Sequence, residues 1–210
     1  MRQVLRTLEE QVQPAHAALL VVDMQNDFCA EGGYLQRTRA ATSRNPIRVE
    51  DNVVIARNIE ALAAAARQPA CRWCGRSVYD FKYLADAHLA KRTDEALCIE
   101  GTGGVDFFQI RPQPGDLVVD KHTFSGFFET ELHDLLQARG VKTLVMTGVA
   151  TNVCVDSTLR HGFFLGYNVV VAEDCVGSGN QAAHEGTLST VRVNFGTVTD
   201  SAALRTLLGE

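Results

Sequence analysis

The sequence predicts an open parallel α/β sheet with helices on both faces. Two patterns point to it. Short, wholly apolar runs recur along the chain, as expected of strands buried on both faces. Segments of helical character alternate with them, which calls for crossover connections and a right-handed βαβ topology. In such a sheet a site lies at the C-terminal ends of the strands.

The first run, AALLVV at 17–22, ends at Asp23. A long loop, 29–50, precedes a helix over 51–66, DNVVIARNIEALAAAA, with Asp51 as its N-cap and good helix formers behind it. DLVV at 116–119 is the next clear strand. ETELHDLLQAR at 129–139 is an amphipathic helix with Leu132, Leu135 and Leu136 on one face, closed by Gly140. VKTLVMTGV at 141–149 is a buried strand running into Ala150-Thr151-Asn152 and a helical stretch. A strand at 168–172, the loop EDCVGSGN, a helix over 181–193, a short strand at 197–199 and a last helix from Asp200 complete the order.

One segment resists this reading. A strand is expected after the helix ending near Arg67, yet the residues there are Gln68-Pro69-Ala70-Cys71-Arg72-Trp73-Cys74-Gly75, two arginine-flanked cysteines in place of an apolar run. A local reading-frame slip across 68–76 is one explanation, because neighbouring-frame codons can encode an ordinary strand, Ala-Ala-Gly-Val-Pro-Val-Val-Trp. DNA sequencing of the locus without that relation would remove it.

At 210 residues the chain reads as a single domain, 1–210. A net charge of -5 with scattered basic residues gives no nucleic-acid footprint. The first twenty residues lack a signal-peptide core, and no apolar run is long enough to span a bilayer, so a cytoplasmic location with no membrane partner is expected. The six cysteines are too sparse for a disulfide scaffold and are expected to be reduced thiols.

One thiol has a special context. In Gly148-Val149-Ala150-Thr151-Asn152-Val153-Cys154 a strand ends, turns through small residues and enters a helix near Cys154. Unpaired N–H groups and the positive end of a helix dipole there bias a thiol toward thiolate and offer donors to an oxyanion. Asp23 is the candidate base. Lys121, ending DLVVDK, is the candidate to polarise the pair and stabilise negative charge. A parallel sheet brings all three to one edge.

With their surroundings, D-M-Q-N-D-F at 23–28, D-K-H-T-F-S-G-F at 120–127 and T-G-V-A-T-N-V-C-V at 147–155 resemble the isochorismatase-like cysteine hydrolase family over residues 17 to 205. The resemblance implies a six-stranded parallel sheet and makes Asp23, Lys121 and Cys154 the catalytic residues. It also implies a non-proline cis peptide, Val149-Ala150, and an oxyanion hole of the Ala150 and Cys154 N–H groups. Members without the Cys cannot form a covalent intermediate, so its presence favours amide chemistry through a thioester. Relatives are commonly dimers or tetramers, which implies a homo-oligomer.

Within that family, F-S-G-F-F at 124–128 and S-T-L-R-H-G-F-F-L at 157–165 are most similar to ureidoacrylate amidohydrolases, with biuret, triuret and N-carbamoyl-amino-acid hydrolases as alternatives. A planar ureide needs in-plane donors and acceptors and apolar walls. Gln25 and Asn26 are the candidates for amide contacts; Phe28, Tyr34, Phe124 and Phe127 are candidates for walls. A catalytically inactive member serving as an interaction module is the competing reading. A nucleotide-binding protein is disfavoured by the absence of G-x-G-x-x-G after the first strand.

No metal and no cofactor are expected. Cys71 and Cys74 form one C-x-x-C without a second ligand pair. Nicotinamidases of similar fold carry a D-x-H metal motif, where this chain has Tyr79-Asp80-Phe81-Lys82, and His88 falls on a helix-like stretch. Gly101-Thr102-Gly103-Gly104 lacks the Walker lysine and is expected to be a flexible loop that helps cover the site.

Overall fold

The structure is a computed structural model that describes residues 4–40, 47–66, 71–79, 84–90 and 97–209. Six parallel strands form one open sheet in the order β3-β2-β1-β4-β5-β6. They are β1 Ala17–Val22, β2 Cys71–Ser77, β3 Leu117–Lys121, β4 Thr143–Val149, β5 Asn168–Gly177 and β6 Gly196–Thr199. The helices are α1 Leu8–Gln11, α2 Asn26–Cys29, α3 Tyr34–Ala40, α4 Val49–Ala65, α5 Asp86–Leu89, α6 Leu132–Ala138, α7 Asp156–Phe164, α8 Gln181–Asn194 and α9 Ser201–Leu207. The chain winds outward in one direction through β1, β2 and β3 and in the other through β4, β5 and β6. The direction therefore switches between β1 and β4, where α/β sheets open a crevice.

The period of two along a strand decides which residues meet which helix. Ala18, Leu20 and Val22 of β1 face one layer with Leu132 and Leu136 of α6, Leu159 of α7, and Leu188 and Val191 of α8. Leu19 and Val21 face the other, with Ile55, Ile59 and Leu62 of α4 and Leu204 of α9. Each fully buried aliphatic side chain stabilises the fold by roughly 1.5–3 kcal/mol relative to exposure.

The anomalous segment makes a strand as it stands. Residues 71–77 pair with β1 on one side and β3 on the other, so the sheet runs through it unbroken; Gln68, Pro69 and Ala70 lie outside the described residues. Trp73 and Cys74 are fully buried. Arg72 sits at the strand's N-terminal end, where its guanidinium meets Asp116 at 2.6 Å and Glu60 at 3.2 Å. The Trp73 ring lies over Gly75 and Gly126, neither of which has room for a Cβ.

Other boundaries shift. Helix α4 begins at Val49 with Arg48 as its N-cap, so Asp51 lies in the first turn, 3.0 Å from the Arg48 guanidinium, instead of capping. The loop 29–50 contains α3. Helix α6 starts at Leu132, and Gly140 ends it at φ +70. Strand β5 continues to Gly177 past the expected loop start, because the ladder to β4 resumes at Gly148↔Val176 after a register shift.

Candidate active site

Asp23 follows β1, Ser77 ends β2, Lys121 ends β3 and Cys154 follows β4, so the sheet delivers four polar side chains to one edge at its switch point. Asp23 has φ +51, a left-handed conformation that aspartate tolerates better than bulkier residues. This turns its carboxylate under the sheet edge, where it is 1% exposed. Lys121 is fully buried, and its Nζ lies 2.9 Å from Asp23 Oδ2.

The ammonium protons have three oxygens in reach: Ser77 Oγ at 2.8 Å, the Thr123 carbonyl at 3.0 Å and the Tyr79 hydroxyl at 3.5 Å. Ser77 Oγ donates to Asp23 Oδ1 at 2.9 Å. Asp23 Oδ2 consequently faces the cation as an ion pair while lacking a hydrogen-bond donor of its own. Burial, the largest single influence, lowers the Lys121 pKa, but the Asp23 carboxylate together with Cys154 and Tyr79 outweighs it and holds the amine charged, above the ordinary lysine range.

Cys154 lies in a widened turn, Thr151–Val155, ahead of α7. The Val153 and Val155 N–H groups both donate to the Ala150 carbonyl, at 3.0 and 3.2 Å. The Val149-Ala150 peptide is cis. Gly148, at φ +104, brings β4 so close to Val22 that a Cβ would stand 2.0 Å from its carbonyl oxygen. Thr151 hydrogen-bonds His184 at 2.9 Å, and Ser178 donates to Asn152, fixing the turn to α8 and β5.

The thiol is not the ready thiolate expected from its place before a helix. Burial, reinforced by the Asp23 charge, pushes the Cys154 pKa up to about 12, against the downward pull of Lys121 and of the Tyr79 hydroxyl. At rest the group is therefore a thiol beside the Asp23 carboxylate. A buried thiol beside a carboxylate that is balanced by Lys121, in a turn ahead of a helix, is equipped to pass its proton and attack an electrophilic carbonyl.

Two other groups here escaped the sequence reading, Ser77 and Tyr79. Their signal was positional: once 71–77 is a strand in register, Ser77 pairs with Lys121 and Tyr79 follows two residues later at the same edge. The Tyr79 hydroxyl lies 3.8 Å from Cys154 Sγ.

The expected substrate contacts divide. Gln25 is fully buried, and its amide is committed to backbone: it donates to the Ser77 and Val105 carbonyls and accepts from the Ser77 N–H. This removes it as a substrate contact. Asn26 donates to the Gly103 carbonyl, and Asp27 accepts from the Cys98 N–H at 2.7 Å. D-M-Q-N-D-F thus anchors the 97–108 segment, and Gly101 to Gly104 are docked on it instead of free.

Phe127 is also corrected. It is a core residue, buried and stacked on Tyr167 against α7. Phe28 and Tyr34 pack partly buried beside Tyr79, Leu84 and Leu97, and Phe124 is 38% exposed with His88 edge-on at 5.0 Å. The F-S-G-F and S-T-L-R-H-G motifs interlock: Thr158 Oγ1 donates to the Cys154 carbonyl and accepts from the Gly126 N–H, and Ser125 meets His161 at 3.0 Å.

Among the described residues no three His, Cys, Asp or Glu side chains form a metal-binding group; Asp80, Phe81 and Lys82 lie outside them. The isochorismatase domain family matches residues 17–203. The chain belongs to that family. It is 37% identical to the ureidoacrylate amidohydrolase RutB of Enterobacter sp. (strain 638), over 90% of this chain and 87% of that one. It is 35% identical to the ureidoacrylate amidohydrolase RutB of Methylobacterium radiotolerans, over 94% and 81%. A solved cysteine hydrolase from Pseudomonas syringae pv. phaseolicola superposes with a TM-score of 0.82 at 26% identity, covering 99% of this chain and 97% of that one.

Proposed function

We propose that this isochorismatase-family protein is a cysteine-dependent amidohydrolase that cleaves a C–N bond of a small ureide or amide, ureidoacrylate-like in class, through a thioester on Cys154. The observation that carries the reading is Asp23 Oδ2, a buried carboxylate oxygen with no hydrogen-bond donor, beside a buried thiol and balanced by Lys121. The relatives named ureidoacrylate amidohydrolase support the ureide.

In this mechanism the Cys154 proton passes to Asp23 Oδ2 as Sγ bonds to the substrate carbonyl carbon, whose π pair moves onto oxygen. The Ala150 and Cys154 N–H groups receive that oxyanion. Collapse restores the carbonyl and breaks the C–N bond, and the leaving nitrogen takes the proton from Asp23. A water then gives a proton to Asp23 as its oxygen adds to the thioester; collapse expels the thiolate, which recovers the proton. Lys121 stays charged throughout and balances the single negative charge as it moves from Asp23 to the reacting atoms and back. Phe28, Tyr34, Phe124 and Asn26 are the remaining proposed contacts to substrate.

No described helix is long and apolar enough to cross a membrane. Cys29, Cys74, Cys154 and Cys175 are free thiols, which supports a reducing, cytoplasmic setting. Family membership supports a homo-oligomer, which sedimentation reads directly. The test of function is amine or ammonia release from ureidoacrylate, biuret, triuret and N-carbamoyl amino acids, beside a Cys154→Ala protein. Turnover of a ureide that vanishes in the variant is expected; a folded wild type inert on every member of the panel refutes the ureide reading.

A further inference from the structure

Tyr79 lies inside the reactive cluster, and the mechanism above gives it no part. Its ring is 2% exposed. Among the described residues its hydroxyl meets Lys121 Nζ at 3.5 Å, which donates to it; the Thr123 carbonyl at 3.2 Å, to which it donates; and Cys154 Sγ at 3.8 Å, within hydrogen-bonding range for sulfur; the Ser77 side chain lies against it as well. Lys121 Nζ also lies 5.6 Å from the ring centroid. The phenol therefore receives a proton donor on one side and offers its own proton to either of two acceptors on the other.

We propose that Tyr79 is a catalytic residue whose hydroxyl turns from the Thr123 carbonyl to Cys154 Sγ and donates to the thiolate as it forms, acting as the end of a Lys121–Tyr79–Cys154 relay of hydrogen bonds. This rests on the Cys154 nucleophile proposed above and extends it.

The reason lies in how the charges move. Before transfer the negative charge sits on Asp23 and holds the Lys121 ammonium at 2.9 Å. Once Asp23 Oδ2 takes the thiol proton, that carboxyl is neutral and the charge sits on sulfur. Lys121 is then less tightly held by Asp23, and a fuller hydrogen bond from Nζ to the phenol oxygen polarises the O–H toward sulfur. Tyr79 keeps its proton throughout, because burial, with the Cys154 charge next, holds its pKa well above the ordinary tyrosine range. When Sγ bonds to the substrate carbon, the sulfur charge leaves and the hydroxyl returns to Thr123. The charged and titratable groups facing this relay are Asp23 from β1, Lys121 from β3 and Cys154 from the turn after β4.

The experiment measures alkylation of Cys154 by iodoacetamide at fixed pH, following the Cys154 peptide by mass spectrometry. It needs no substrate, so it is independent of whether ureides are the true substrates. Tyr79→Phe removes only the hydroxyl; a second protein carries a ring-fluorinated tyrosine at 79, a stronger donor of nearly the same shape. The rate constant is expected to fall about ten-fold in the phenylalanine variant, as for loss of one hydrogen bond to a charged group, and to rise in the fluorinated protein. Equal rates in all three proteins overturn the proposal. So does a fall in Tyr79→Phe with no rise in the fluorinated protein, which marks a structural role alone.

Discussion

At Asp23 one carboxylate has two separable effects on one sulfur. Its charge raises the Cys154 pKa, and its free oxygen is the proposed base for that same thiol. Asp23→Asn is therefore expected to move two rates in opposite directions. Hydrolysis falls by roughly a hundred-fold to ten-thousand-fold, the usual worth of a positioned base, while alkylation of Cys154 by iodoacetamide speeds up because the thiolate keeps Lys121 and loses its anionic neighbour. In the wild type the thiol pKa lies near 12. Its alkylation should go on rising with pH above about 9, where an ordinary cysteine levels off. A plateau near pH 9 would show that the resting thiol is not held as described.

Gly148 shows how an element's geometry reaches the chemistry. The turn carrying Cys154 is set by where β4 ends, and β4 ends at a glycine with φ +104 pressed onto the Val22 backbone. Gly148→Ala forces both a disfavoured backbone region and a clash with a main-chain oxygen, which a rotamer change cannot relieve. A loss of about 3 kcal/mol or more is expected in urea unfolding, with activity lost even where the variant folds. Gly186, exposed on α8 with no atom within 4 Å of an added Cβ, is the control: Gly186→Ala should be neutral or stabilising by up to about 1 kcal/mol. Comparable losses at both sites would mean that the Gly148 contact has no special weight.

Over the whole molecule the buried thiols couple stability to alkaline pH. Burial is the first cause that raises Cys29, Cys74, Cys154 and Cys175 above the ordinary value of 9.0, with Cys74 and Cys154 near 12. A group with a raised folded pKa binds its proton more tightly when folded. Its stabilisation is complete below about pH 9 and is lost as pH climbs toward the folded value. Each thiol then contributes a slope of up to about 1.4 kcal/mol per pH unit. Thermal midpoints should fall steeply between about pH 9 and 11 and be flat between 7 and 8.5. Cys74→Ser should shallow the alkaline slope, although it also destabilises at neutral pH; an unchanged slope would remove Cys74 from the account.

The sheet class, most strand positions and the convergence of Asp23, Lys121 and Cys154 at one edge were legible in the sequence, because buried parallel strands are continuous apolar runs and their C-terminal ends share one edge. The Gly140 stop was a local signal of the same kind. Strand β2 was not legible as a strand, since Arg72 and two cysteines interrupt its pattern and only Asp116, Glu60 and the flanking strands make the arginine acceptable there. With β2 unread, Ser77 and Tyr79 had no place at the edge. Gln25 and Phe127 looked like substrate contacts because residue type does not reveal partners; the fold gives one to backbone and the other to the core. Tertiary structure also decided the resting state of Cys154, the proposed nucleophile. The sequence places Cys154 before a helix, where the dipole favours thiolate, but the depth of burial and the nearness of Asp23, both products of packing, make it a thiol at rest.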